Sequence, residues 1–355
     1  MNIKDVDKNF NIETKINDKN LKFISALESP FDLYGTCGDG YLRLPIKAAE
    51  KVSEGVKSLA ANTSGVRIRF KTDSDFVAVS VKYSEVCRIE HMSLAGTAGL
   101  DMYIYEDGMY SYKTLFLPPM SMKNQFEQIQ YFGSKKMRDI TINLPLYSSI
   151  EQIFIGLDKN TIPEHGESYE NKNPIVFYGS SITQGGCASR PGNSYPAIIS
   201  RKLNLDFLNL GFSGNAKGEA AMAEYIASLD MSCFVMDYDF NAPDAEFLKN
   251  THRSFFEIIR KKNPTLPIII LSMPYNSWMT NVKGRKEIIK KTYDKAVEAG
   301  DENVYFIDGE KIFDIFGGES GTVDGTHPND LGFMCMAYEL EKYIVKTERR
   351  KKDEK

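Results

Sequence analysis

Pro174-Ile-Val-Phe-Tyr-Gly-Ser-Ser-Ile-Thr-Gln-Gly-Gly186 is the stretch on which the architecture turns. It runs without charge from Pro174 to Tyr178 and ends on a glycine and two serines, Ser180 and Ser181. An apolar run without alternation suits a strand covered on both faces, as in a parallel sheet flanked by helices. Outward from it, the rhythm of strand and then helix recurs five times. Strands are expected at 174–180, 206–212, 233–239, 267–273 and 304–308, with helices at about 193–203, 217–229, 243–262, 282–299 and 329–346. Ligands of such sheets sit at the C-terminal strand ends, near the topological switch point. Three further polar patches fall at strand ends: Asn209-Leu-Gly-Phe-Ser-Gly-Asn215, Asp237-Tyr-Asp-Phe-Asn-Ala-Pro243, and Asp324-Gly-Thr-His-Pro328.

Upstream of about residue 160 the character changes. Short stretches such as Val66–Thr72, Phe76–Ser84 and Asp139–Leu146 alternate apolar and polar residues and are rich in Val, Ile, Tyr and Phe. They suit strands of a sheet buried on one face, separated by Gly, Ser, Asn and Asp turns. An all-β, jelly-roll-like sandwich is expected over residues 1–160, with a short helix inside it at 44–61. The polar segment 161–173 reads as a linker, 174–346 as an α/β domain, and 347–355 as a charged, frayed tail.

Composition narrows the field. Of 355 residues, 42% are hydrophobic and 26% charged, enough apolar material for a sizeable core. The net charge of −4, without a basic stripe, argues against nucleic acid and anionic membrane as partners. No apolar run is long enough to span a bilayer, and the first twenty residues lack the apolar core of a secretory signal. Five cysteines (37, 87, 187, 233 and 335) without a C-x-x-C pair read as reduced thiols. A cytoplasmic protein with no metal and no cofactor is the expectation.

A serine hydroxyl is a poor nucleophile until a base takes its proton, and that base must be held in one tautomer. Among four histidines (91, 165, 252 and 327), His327 alone has an aspartate three residues earlier. A turn through Gly325 lets Asp324 reach Nδ1 and leaves Nε2 for Ser181. The competing reading makes Asp324-Gly-Thr-His-Pro328 a helix-initiating turn, with Asp324 on backbone N–H groups. Ser180 competes with Ser181 as the exposed hydroxyl, and a flavin or phosphate site is the alternative for the glycine-rich stretch. The absence of a following Gly-Lys-Ser/Thr opposes a phosphate loop, and Thr183 in place of a last glycine opposes an α/β-hydrolase elbow.

Gly179-Ser-Ser181-Ile-Thr resembles the first block of the GDSL or SGNH hydrolases, with Ser180 where the family has Asp. Gly214 is similar to their second block, Asn241 to the third without its G-x-N-D string, and Asp324-Gly-Thr-His327 to the fifth. Gly99-Leu-Asp101-Met-Tyr103 resembles the GxDLY signature of a domain that precedes some SGNH esterases, with Met102 for Leu. The resemblance implies a flavodoxin-like α/β domain with a Ser181–His327–Asp324 triad. It also implies an oxyanion hole from the N–H groups of Ser181 and Gly214 and the Asn241 amide. Gly214 also reads as a turn glycine, and Asn241 as a cap for the following helix.

Substrate contacts are expected from Gln184, Arg190 and Asn193 in the loop after the nucleophile, and from Tyr275 and Trp278 stacking on a sugar face. Asp101 is either structural in the β half or reaches the cleft. Cys187 reads as a small loop residue. The reading favoured is a serine esterase that removes small acyl groups, acetyl foremost, from a carbohydrate or oligosaccharide ester. An acyltransferase using the same acyl-enzyme and a non-catalytic sugar-binding protein are the alternatives.

Overall fold

The structure, a computed structural model, describes residues 14–36, 40–279 and 282–353. In the first half, alternating sequences make antiparallel strands: β1 (Leu21–Ser25), β2 (Asp32–Tyr34), β3 (Arg67–Thr72), β4 (Phe76–Glu85), β5 (Leu100–Glu106), β6 (Met109–Phe116), β7 (Gln125–Tyr131), β8 (Arg138–Asn143), β9 (Ser149–Asp158) and β10 (Glu164–His165). One sheet runs β1-β9-β4-β7 and the other β10-β3-β8-β5-β6, with β2 also pairing β3. Their inward residues meet in one core, Val77, Val79 and Ile155 from the first sheet against Ile68, Ile140 and Met102 from the second. On the outer face of β3, Arg67 and Arg69 are buried, and Arg67 docks on the second half. The Arg67 guanidinium lies 4.2 Å over the Phe207 ring and donates to the Phe207 carbonyl.

Among the described residues of this half are three helices: α1 (Ile46–Val52), α2 (Glu54–Leu59) and α3 (Leu94–Thr97). The first two correct the expected helix at 44–61, because they do not lie inside the β-sandwich. Ala49, Val56 and Leu44 enter the core under the parallel sheet instead. An amphipathic stretch specifies an apolar stripe but not which layer covers it.

The parallel sheet comprises β11 (Ile175–Gly179), β12 (Phe207–Gly211), β13 (Cys233–Asp237), β14 (Ile268–Leu271) and β15 (Val304–Ile307), ordered β12-β11-β13-β14-β15. This is the 2-1-3-4-5 order of flavodoxin-like folds. Alternation along β11 explains its unbroken apolar run: Ile175 and Phe177 face one core, Val176 and Tyr178 the other. The helices are α4 (Ser181–Gln184), α5 (Tyr195–Leu203), α6 (Ala220–Ala227), α7 (Ala245–Lys262), α8 (Val282–Glu298) and α9 (Asp330–Asp353). The first turn expected of α6 is absent because Gly218 takes φ +73°, a left-handed conformation that stops a helix.

Two further expectations are corrected. The segment 161–173 is not a free linker: β10 pairs with β3, and Asp32 accepts from Gly166 N. Tyr169 Oη accepts from Arg67 Nε at 2.6 Å. The helix α9 runs through the buried Thr347 to Asp353, so the end expected to fray is helical that far. No described helix is long and apolar enough to cross a membrane.

Candidate active site

Strand β11 delivers the nucleophile candidate through a glycine that nothing larger could replace. A Cβ on Gly179 would stand 2.4 Å from the Asp237 carbonyl and 2.1 Å from Thr183 Oγ1. Ser180 is fully buried and caps α4, its Oγ accepting from Ile182 N at 3.2 Å. That use leaves Ser181, the first residue of the helix, as the hydroxyl that meets His327. Its Oγ lies 2.9 Å from His327 Nε2, and His327 Nδ1 lies 2.8 Å from Asp324 Oδ2.

The turn at 324–328 satisfies both sequence readings, with different oxygens. Asp324 Oδ1 accepts from the main-chain N–H groups of Thr326 and His327 at 3.0 and 2.8 Å, while Oδ2 holds the imidazole. Gly325 bends the chain at φ +81°. Burial pushes the Asp324 carboxyl up, but its bonds from the His327 ring and main chain outweigh this and leave it below the usual carboxylate range. The loop after β14 clamps this turn, with Asn276 Nδ2 donating to Thr326 Oγ1 and Ser277 N to the Gly325 carbonyl.

Register brings the other candidates level. Gly179 pairs with Gly211 on one side and Asp237 on the other, so the loops carrying Ser181, Gly214 and Asn241 leave the sheet side by side. Asn241 Nδ2 donates to the Phe212 carbonyl at 2.9 Å, tying the third loop to the second. Asn241 is not the cap of α7: Asp244 is, accepting from Phe247 N at 2.7 Å. Gly214 takes φ +68°, with open space where a Cβ would stand. The 3-10 turn bearing Asn241 is pinned by a buried ion pair, Asp239 to Arg285 at 2.9 Å. Arg285 also donates to the Ala242 carbonyl.

Several expected substrate contacts are occupied elsewhere. Gln184 is fully buried; its amide donates to Asn62 Oδ1 and the Leu146 carbonyl and accepts from Ser213 N. Asn193 Nδ2 donates to Asp330 Oδ2 at 2.8 Å. Arg190 pairs with Asp101 at 3.3 Å and lies over Tyr112. Asp101 is fully buried and bonds Asn143 Nδ2 and Gly192 N, so it joins the two halves and does not face the cleft. Tyr275 packs on the core and against Gly318. Trp278 differs: it is 67% exposed beside the Gly325 turn. In each corrected case the partner is remote in sequence, so a polar residue in a glycine-rich loop looked free.

Sequence reasoning passed over His91. It comes from the loop after β4, yet its Nε2 lies 3.9 Å from Asp324 Oδ2 and its ring centroid 5.6 Å from that of His327. Cys187 stands beside it, at φ +72°, with Sγ 3.7 Å from the His91 carbonyl oxygen. Tyr147, from the turn before β9, donates to the Ser181 carbonyl at 3.2 Å. No local pattern in the sequence marks His91 or Tyr147 as the residues of the β half that come to Asp324 and Ser181.

A model of the GDSL-like lipase/acylhydrolase family matches residues 172–345. The GxDLY model, an N-terminus of SGNH-hydrolase-type esterases, matches residues 21–162. No curated protein sequence matches the chain. A solved structure from Bacteroides ovatus assigned to the GDSL-like lipases is 30% identical with a TM-score of 0.85, over 93% of this chain and 98% of that one. The salicylyl-acyltransferase of a tetracycline biosynthetic pathway is 21% identical, with a TM-score of 0.74 over 92% and 98%. A family two carbohydrate esterase from Clostridium thermocellum, in complex with cellohexaose, is 17% identical, with a TM-score of 0.56 over 79% and 92%. The last two share the fold. The chain under study belongs to the GDSL-like lipase/acylhydrolase family and carries a GxDLY-type N-terminal region.

Proposed function

We propose that the protein is a serine esterase that removes small acyl groups, acetyl foremost, from a carbohydrate. The observation that carries this reading is the unbroken chain Ser181 Oγ–His327 Nε2 at 2.9 Å and His327 Nδ1–Asp324 Oδ2 at 2.8 Å. In it Ser181 attacks the ester carbonyl as His327 takes its proton, and Asp324 stabilises the imidazolium without being protonated. The negative oxygen of the tetrahedral intermediate is met by the N–H groups of Ser181 and Gly214 and by the Asn241 amide. As the intermediate collapses and its C–O bond to the sugar breaks, His327 protonates the departing sugar oxygen to the free hydroxyl, leaving an acyl-enzyme. Water, deprotonated by the same histidine, releases the acid and restores Ser181.

Carbohydrate as the alcohol is supported by the exposed Trp278 at the rim, a flat apolar surface of the kind sugars stack on. It is also supported by shared fold with the cellohexaose-bound carbohydrate esterase and with an acetyl xylan esterase from Butyrivibrio proteoclasticus. A second reading, acyl transfer, is favoured by the likeness to the salicylyl-acyltransferase, which extends over 92% of this chain. Both readings share the acyl-enzyme and differ only in what takes the acyl group from Ser181. Mass spectrometry of acetylated oligosaccharides incubated with the enzyme, with and without an added alcohol, separates them. Free acetate and deacetylated sugar alone support hydrolysis. Acyl-alcohol as the main product overturns it in favour of transfer.

A further inference from the structure

Three metal-ligating side chains from separate parts of the chain converge beside the Asp324–His327 pair. His91 comes from the β half, Cys187 from the loop after α4, and His327 from the turn before α9. One ligand atom of each lies within 4.8 Å of the other two. Asp324 Oδ2, which holds His327 Nδ1, stands 3.9 Å from His91 Nε2. We propose that His91, Cys187 and His327 form a site for a borderline-soft divalent cation, Zn2+ above all, and that its occupation reversibly silences the esterase. The inhibitory half of this rests on the reading of His327 as the general base.

The donor set selects the class of ion. Thiolate and imidazole suit Zn2+ and disfavour Mg2+ and Ca2+, which take oxygen ligands. Around tetrahedral Zn2+, with bonds of about 2.0–2.3 Å, neighbouring donors stand roughly 3.3–3.6 Å apart. The three side chains therefore close by about an ångström on binding. His91 supplies that movement, since its side chain is 39% exposed. Burial and the nearby Asp324 push the Cys187 thiol up to about 12, so it is inert as a free nucleophile. A coordinating thiol is nevertheless deprotonated outright.

Silencing follows from the partners His327 already has. Its Nδ1 is held by Asp324 and its Nε2 faces Ser181. An ion on either nitrogen displaces one of them, so the ring either loses its orienting carboxylate or no longer takes the serine proton.

The test uses the full chain, stripped by a chelator, titrated with zinc chloride by calorimetry while hydrolysis of p-nitrophenyl acetate is followed. One equivalent is expected to bind, hydrolysis to fall with occupancy, and EDTA to restore it. Co2+ in place of Zn2+ should give a thiolate-to-cobalt charge-transfer band. His91→Ala and Cys187→Ser should retain zinc-free hydrolysis and bind zinc at least roughly tenfold more weakly, and Cys187→Ser should lose the band. Absence of binding, binding unchanged in both variants, or binding without inhibition overturns the proposal. Ser181→Ala separates this from failure of the catalytic reading. If that variant hydrolyses normally, the triad assignment has failed, while calorimetry on His91→Ala still decides the metal site.

Discussion

Two hydroxyls stand two residues apart on the short helix α4, and each belongs to a group that also holds a ring side chain and a carboxylate. Ser181 faces His327 and Asp324; Thr183 bonds Asp237 Oδ2 at 3.0 Å and Tyr195 Oη at 3.1 Å. Their surroundings separate them. Ser181 keeps 9% exposure and His327 and Asp324 side chains 17%, whereas Thr183, Tyr195 and Asp237 have none. Burial raises the Tyr195 hydroxyl well above its ordinary value and the Asp237 carboxyl to about 7. The sealed group is closed to solvent on every side, so no substrate can reach it. It fixes the helix on which the open chain works. A hydroxyl beside a ring and a carboxylate is therefore not by itself a candidate nucleophile; exposure to solvent is what separates the two groups.

The sharpest break of this comparison is Ser181→Ala, expected to lower kcat by roughly 10⁴- to 10⁶-fold with an unchanged melting temperature. Thr183→Val, its counterpart, should leave kcat within about tenfold but cost about 1–3 kcal/mol of stability by stripping a donor from a buried carboxyl. Calorimetric unfolding and ester kinetics on both variants check the pair, and equal kinetic damage would erase the distinction. Next in size is Asn241→Ala, expected to cost about 10²–10³ in kcat if its amide serves the oxyanion. A change confined to KM would remove it from that role.

Asp237 offers a test by pH. Burial holds its folded-state value near 7, above the unfolded carboxylate value of 3.8, so the folded protein binds this proton more tightly. Its contribution is therefore most favourable below about pH 4 and is lost as pH rises toward 7. Asp237→Asn should flatten that decline, seen as a difference from wild type in melting temperature across pH 4–7. A constant difference would mean that Asp237 does not change protonation there. The smallest effect is expected at the rim, where Trp278→Ala should raise KM for an oligosaccharide ester a few-fold and spare kcat for p-nitrophenyl acetate.

The parallel sheet was legible because its strands announce themselves locally. Pro174–Tyr178 and Ile268–Leu271 are apolar without interruption, and each ends at a patch of small or polar residues. Ser181, Asp324 and His327 were legible for a related reason, since the Asp–His spacing closes within one turn. What stayed hidden lies between remote segments. Asp101 bonds Gly192 across 91 positions, and Gln184 bonds Asn62 across 122. Such partners decide whether a polar side chain lines a cleft or fills a seam, and no local pattern encodes them. His91 illustrates the cost, as a histidine in a polar loop that only the packing of the two halves brings to the turn at 324–328.

The most direct measurement of the central claim is labelling with a fluorophosphonate probe, followed by peptide mapping. Stoichiometric modification of Ser181, with Thr183 and Ser180 untouched and labelling strongly slowed in Asp324→Asn, is the predicted result. Modification of another residue, or none while ester hydrolysis proceeds, would contradict it.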